Sequence, residues 1–265
     1  MTHPFAAPLS VPTRLNRQAN AALALLRARI GGPIEERWAD ERDHGDLLSI
    51  LLLVRDSDGE RMSKAQVYDE VLTLCGAALE TTIGALSWTY YAVASTPGVA
   101  DGLEQEVDAV LGSRLPTFDD LESLPYALEV FKEGLRLYPP AAVIPRTAKV
   151  DTELDGYRIP KGTIVFISPY VLHRRPDLYP DPERFDPGRF DHDAERARPR
   201  HSYIPFGVGP RTCIGNHFTL MEGQLVLATL ARTVRFELLP NQTVVPMLKL
   251  NLRPRGGVLV RIHRR

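Results

Sequence analysis

The sequence has little cysteine: Cys75 and Cys213 are its only two in 265 residues. Two thiols cannot build a disulfide framework or a four-cysteine zinc site. The chain therefore reads as cytoplasmic, and each thiol needs its own explanation. Long apolar runs are also lacking. The longest, Ile50 to Val54, follows Leu47, Leu48 and Ser49 and falls far short of the roughly 20 apolar residues of a membrane span. No basic stretch followed by an apolar stretch and a cleavage site opens the chain, so no signal peptide is expected. Neither sign of charge dominates: 32 basic and 33 acidic residues leave a net charge of −1, which excludes a general nucleic-acid binder. No G-x-G-x-x-G follows a strand pattern, so a built-in flavin or NAD(P) domain is excluded too.

What is present is ordinary globular chemistry. With 44% hydrophobic and 25% charged residues, the chain can bury one substantial core in one or two domains. Its prolines are uneven: seven precede Pro139 and 15 lie from Pro139 onward. Proline breaks helices, so a helical first half and a second half of loops and short strands are predicted. Helical patterns cover 14–42, broken at Gly31-Gly32-Pro33, and 46–54. A capping box at Ser63-Lys-Ala-Gln66 opens a helix that nothing interrupts before Pro97, about 33 residues or roughly 50 Å. Its centre, Leu74 to Leu86, is apolar around most of its circumference, which predicts burial. Further helices are predicted at about 97–112, 118–123, 125–138 and 214–231. Strands are predicted at 147–152, 157–159, 163–168, 233–239 and 257–263, with a proline-rich meander at 176–200.

The strongest local signal is Phe206-Gly207-Val208-Gly209-Pro210-Arg211-Thr212-Cys213-Ile214-Gly215. A lone cysteine in a glycine-rich loop sits immediately before a helix. The helix start offers backbone N–H groups and a positive dipole end, both of which favour a thiolate, and Arg211 adds a positive charge. The glycines let the backbone turn tightly or approach a flat ligand. Taken alone, such a cysteine is a nucleophile, a metal ligand or an inert core thiol.

The order F-G-x-G-x-R-x-C-x-G resembles the haem-binding loop of the cytochrome P-450 family, with six positions matched in ten residues. The resemblance implies that Cys213 is the axial thiolate ligand of haem b iron, in a loop with Phe206, Gly207, Gly209 and Gly215, and that Arg211 pairs with a haem propionate. Arg146 is the expected contact to the other propionate. Glu133-Gly-Leu-Arg136 matches the family's E-x-x-R helix, followed by Pro139-Pro140 as in the family, which buries this pair and joins it to a meander arginine. Arg189, in Phe185-Asp-Pro187-Gly-Arg189-Phe190, fits the fuller pattern; Arg184, in Pro182-Glu-Arg184-Phe185, is the alternative. Ala77-Ala78-Leu79-Glu80-Thr81-Thr82 resembles the oxygen-binding groove, so Glu80 and Thr81 are the implied catalytic proton relay. The family's glycine two positions before that pair is Ala78 here. Read without the resemblance, Thr81 bonds back to its own helix and Glu80 faces water. His173 and His217 read as structural histidines, Cys75 as a small core residue. Arg196, Arg198, Arg200 and His201 form either a solvated run or a docking patch for an acidic electron donor.

The resemblance covers nearly the whole chain but only the later part of the family's fold. It implies a mainly α fold with small β-sheets, a truncated P-450 fold in which 1–265 form one partial haem domain. The implied activity is monooxygenation of a small apolar organic substrate by dioxygen, with electrons from a ferredoxin-type donor and its reductase, and with no nucleic acid or membrane as partner. An alternative is a haem-binding remnant that works only with a separate N-terminal half, because an absent early segment would leave the long helix with an exposed apolar flank. A cysteine-nucleophile hydrolase would need one of the seven histidines as a base beside Cys213.

Overall fold

The computed structural model describes residues 8–40 and 42–265. Residues 1–7 and Glu41, the latter within the predicted helical stretch 14–42, lie outside them. The described chain divides into two compact units, with the boundary after Leu79, inside the long helix.

In the first unit, α1 (Arg14–Trp38) starts where the Thr13 side chain accepts the Asn16 N–H. A break was expected at Gly31-Gly32-Pro33, but α1 runs straight through it. Tertiary packing overrides the local signal. Ile34, one residue beyond the proline, is fully buried, and a Cβ on Gly31 would lie 2.7 Å from the Tyr68 hydroxyl, so the glycine permits close helix packing. Asp46 caps α2 (Leu47–Leu53), and Leu52 and Val67 complete the small core around Ile34. The predicted capping box opens α3 (Lys64–Ser95): Ser63 Oγ accepts the Gln66 N–H while Gln66 Oε1 accepts the Ser63 N–H.

In the second unit the rest of α3 packs with α4 (Val99–Leu111), α5 (Pro125–Leu137) and α8 (Asn216–Thr233). Their shared core holds Ala85, Ala92, Leu103, Val107, Val130, Phe131, Leu227 and Ala228. Gly134 lets α5 meet α3, since a Cβ there would lie 2.1 Å from Thr89 Oγ1. Burial was expected over the whole centre of α3. Within Leu74 to Leu86 it holds for Thr82, Gly84 and Ala85 but not for Cys75 to Leu79 or Ile83, with Leu79 67% and Ile83 56% exposed. An apolar circumference permits burial; only a packing partner produces it. By length and composition alone α3 is also long and apolar enough to cross a membrane, which corrects the expectation drawn from uninterrupted runs. Only 22% of its most apolar window is buried.

The remaining strands form four two-stranded antiparallel ribbons. β1 (Ile144–Thr147) pairs with β4 (Ile164–Ile167), so the expected strand at 147–152 begins earlier and breaks before β2 (Thr152–Leu154). β2 turns into β3 (Tyr157–Ile159) through Asp155-Gly156, both at positive φ, the geometry a two-residue Asp-Gly hairpin favours. The short helix α6 (Pro169–Leu172) precedes the meander and α7 (His192–Ala197) lies within it. β5 (Val234–Leu238) pairs with β8 (Val260–Arg264), and the unpredicted β6 (Pro246–Leu248) with β7 (Leu252–Pro254). Helices with small ribbons are the mainly α architecture expected.

Candidate functional site

The cysteine loop closes on itself. Gly207 and Gly209 have φ of 72° and 75°, where L side chains are strained. The Gly207 N–H donates to the Ile204 carbonyl at 3.0 Å, and the Cys213 N–H donates to the Phe206 carbonyl at 2.9 Å. A single 3₁₀ turn, Gly209–Arg211, lifts the chain between them, and Gly215 caps α8. Cys213 is exposed and stands at the positive end of an 18-residue helix. A Cβ on Gly215 would lie 3.9 Å from its Sγ. Phe206 packs onto the helical core and anchors the start of the loop, while Val208, Phe218 and the 87% exposed Ile214 are exposed apolar residues of the loop and of the first turn of α8. Arg211 is exposed.

β1 passes beside this loop. Ile144 Cδ1 lies 3.7 Å from where a Cβ on Gly207 would sit. Alternation along a strand places Arg146 on the same face as Ile144. Arg146 is exposed and donates from Nη1 to its neighbour, the Pro145 carbonyl, at 2.9 Å.

The E-x-x-R pair is completely buried. All five guanidinium N–H groups of Arg136 are used. Nε and Nη2 reach the two Glu133 carboxylate oxygens at 2.6 and 2.8 Å. Nη1 donates to the His173 and Pro182 carbonyls at 2.8 and 2.7 Å, and Nη2 also to the Arg184 carbonyl at 3.0 Å. Glu133 further accepts the Asp186 N–H at 2.8 Å. Burial pushes the Glu133 carboxyl upward, while Arg136, the Asp186 N–H and Arg189 pull it down. The third arginine by geometry is Arg189: its Nε lies 3.6 Å from Glu133 Oε1 and its Nη2 donates to the Pro180 and Asp181 carbonyls. Arg184 is exposed and contributes only its backbone carbonyl.

His173 is buried and satisfied, as expected of a structural histidine. Its Nε2 accepts the Ile204 N–H at 2.9 Å, which puts the ring proton on Nδ1, facing the Arg136 carbonyl at 3.2 Å. Burial, followed by the charges of Arg136, Arg174 and Arg198, lowers its pKa to about 3, against the opposing Arg136 carbonyl bond. His217 is exposed on α8, and Cys75 is exposed rather than a core thiol.

Glu80 and Thr81 do not sit as a buried acid beside a hydroxyl. The Glu80 side chain is 44% exposed with Arg253 Nη1 at 3.6 Å, Thr81 is half-buried, and α3 stays α-helical through both. Of the basic run, Arg196, Arg200 and His201 are exposed. Arg198 is instead engaged: its Nη2 donates to the Arg189 carbonyl, and its guanidinium lies over Phe190 at 4.3 Å. Sequence reasoning missed Glu106, whose carboxylate accepts the Tyr126 and Ala127 N–H groups at the start of α5; a carboxylate from a different helix leaves no capping pattern in the local sequence. Among the described residues no group of three His, Cys, Asp or Glu side chains could hold a metal ion.

The sequence model of the cytochrome P-450 family matches residues 3–262. Among similar proteins, cyclooctatin synthase of Streptomyces melanosporofaciens is 41% identical over 244 residues, covering 91% of this chain and 53% of that protein. Pentalenene oxygenase of Streptomyces avermitilis is 36% identical over 237 residues, covering 89% and 53%. The solved structure of retinoic acid bound cyanobacterial CYP120A1 superposes with a TM-score of 0.90 at 32% identity, over 98% of this chain and 60% of that one. The chain thus spans about half the length of the curated relatives it matches. A family match over nearly the whole chain, the shared fold and the loop around Cys213 agree: the chain belongs to the cytochrome P-450 family.

Proposed function

We propose that this chain carries the haem-thiolate centre of a monooxygenase that inserts one atom of dioxygen into an apolar organic substrate. The observation that carries the reading is the exposed Cys213 thiol in a closed, twin-glycine loop at the head of α8. The surroundings fit a haem. Glycines at 207 and 209 keep side chains off the loop, Val208, Ile214 and Phe218 offer apolar contact, and Arg211 and Arg146 are exposed cations suited to propionates. When bound, haem would supply iron redox chemistry, which a Cys213 thiolate ligand would bias toward O–O cleavage.

The protein's own residues do the rest. Cys213 ligates, Arg211 and Arg146 orient, and Phe206 with Gly207, Gly209 and Gly215 shapes the loop. Glu133, Arg136 and Arg189 hold the meander that leads into it. Glu80 and Thr81 move protons, drawing on Glu80's access to water. Electrons come from a ferredoxin-type partner with its reductase, for which Arg196 and Arg200 are exposed docking charges on the segment before the loop. The apolar substrate class is supported by relatives named for pentalenene and for cyclooctat-9-en-7-ol. A cytoplasmic location belongs to the same proposal.

A second reading is a haem-binding chain that turns over only together with a further polypeptide; the exposed apolar Leu79 and Ile83 favour it. Both are tested by loading the chain with haem. The ligand assignment predicts a thiolate-type red-shifted carbon monoxide band that Cys213→Ala abolishes; a Cys213→Ala protein that keeps the band refutes it. Substrate oxidation by the isolated chain, given electrons, would exclude the second reading.

A further inference from the structure

The segment Ser202-Tyr203-Ile204 leads directly into the cysteine loop, and three buried or half-buried side chains grip it. The Tyr179 hydroxyl donates to the Ser202 carbonyl at 3.1 Å. The Tyr203 hydroxyl donates to the Lys132 carbonyl of α5 at 2.9 Å. The His173 ring takes the Ile204 N–H at 2.9 Å. Ile204 is also the residue whose carbonyl receives the Gly207 N–H and so starts the loop's own closure. His173 is at the same time locked to the buried ion pair twice over: its carbonyl accepts from Arg136 Nη1, and its Nδ1–H faces the Arg136 carbonyl.

We infer that His173 is a positioning residue: it transmits the fixed geometry of Glu133–Arg136 to the cysteine loop through one hydrogen bond to the Ile204 N–H. The chain of contacts is continuous and entirely buried up to Ile204. Arg136 is fixed by its five bonds, His173 is fixed by Arg136, and Ile204 by His173. The role needs the neutral ring, since only an unprotonated Nε2 accepts from an amide. The surroundings supply that state. Arg136 on α5, Arg174 beside α6 and Arg198 after α7 oppose a second ring proton, while Tyr179 and Tyr203 pack against the ring. Arg136 occupies both oxygens of the buried Glu133.

The inference rests on Cys213 being the haem ligand only for its spectral consequence; the mechanical part is independent of haem. Two substitutions separate the two ring nitrogens. His173→Gln can place an amide oxygen near Nε2 and keep the Ile204 bond. His173→Asn reaches only as far as Nδ1 and leaves the Ile204 N–H unpaired. Peptide-resolved hydrogen exchange on the haem-free chain is the first measurement. In His173→Asn, exchange over 204–213 should rise about tenfold, as loss of one buried hydrogen bond predicts, with α4 and the β5–β8 ribbon unchanged; His173→Gln should stay within about threefold of wild type. Equal exchange in all three proteins, or a rise spread over the whole chain, overturns the inference in favour of a merely structural histidine. The second measurement is the carbon monoxide spectrum of the haem-loaded proteins. His173→Asn should convert from the thiolate-type to the shorter-wavelength band at least tenfold faster than wild type, and His173→Gln should be rescued. A wild-type protein without the thiolate-type band would count against the proposed function, while the exchange result would still decide the role of His173.

Discussion

Replacing Arg136 by methionine is the most demanding test of how this fold is held together. The substitution keeps a long, flexible side chain and removes five hydrogen bonds at once. Glu133 keeps only the Asp186 N–H and the more distant Arg189. Breaking one side of a buried ion pair costs about 3–5 kcal/mol. Three carbonyls, of His173, Pro182 and Arg184, also lose a buried donor, at about 1–3 kcal/mol each if no water replaces it. These costs overlap, because the meander can relax and admit water, so the expected loss is about 4–5 kcal/mol. Domains of this size hold about 5–15 kcal/mol in total, so the variant should be marginal at 25 °C. Urea unfolding followed by circular dichroism gives the number. The double variant Glu133→Leu/Arg136→Met removes the stranded carboxylate but not the stranded carbonyls. It should lose about 2 kcal/mol less than the sum of the two single losses. Arg136→Lys retains the charge but can fill at most three of the five bonds, without the planar fork, and should recover less than half of the loss. An Arg136→Met protein within 1 kcal/mol of wild type, or strict additivity in the double variant, would refute this account.

Two further outcomes follow from the same network. Arg189→Ala should lower the melting temperature by several degrees, since it strips Glu133 of a charge and the Pro180 and Asp181 carbonyls of a donor, about 1–3 kcal/mol. Arg184→Ala, which deletes only an exposed side chain, should stay within about 0.5 kcal/mol, and calorimetry on the pair distinguishes the two arginines. The pH dependence has a definite sign. His173 titrates at about 3 in the folded chain against an ordinary 6.5, so between these values the unfolded chain binds a proton that the folded chain refuses. Its contribution is complete above pH 6.5 and is lost as the pH falls toward 3, about 5 kcal/mol in all. Denaturant midpoints measured from pH 7 to pH 4 should therefore fall more steeply for wild type than for His173→Gln; parallel curves would remove His173 as the cause.

Much of the site is local, and so was readable. The Phe206–Gly215 loop is one continuous segment whose chemistry depends on glycines at positive φ and a cysteine before a helix, all properties of the sequence itself. The Glu133–Arg136 pair is likewise local, three residues apart on one helix face. So is the capping box at Ser63 and Gln66, which fixed the start of α3. The choice of Arg189 over Arg184 was made from the fuller motif at 185–190, but the motif says nothing of the contact itself, because only the folded path turns the Arg189 side chain toward Glu133. The expected break at Gly31-Gly32-Pro33 failed for a similar reason: Ile34 and Tyr68 supply packing that local propensity does not record.

Two properties belong wholly to tertiary structure. Burial requires a neighbour, so an apolar stretch such as Cys75 to Leu79 carries no information on whether anything covers it. The same limit hid the role of His173: nothing in its own segment connects it to Ile204, 31 residues onward, or to Arg136, 37 residues back. The sequence alone determined the family, the thiol and the paired charges, because each is written in residues close enough to constrain one another through the backbone. The tertiary structure decided how Arg189 reaches the ion pair, how far α3 is buried, and how the ion pair is tied to the loop. Those depend on distances between segments that are remote along the chain.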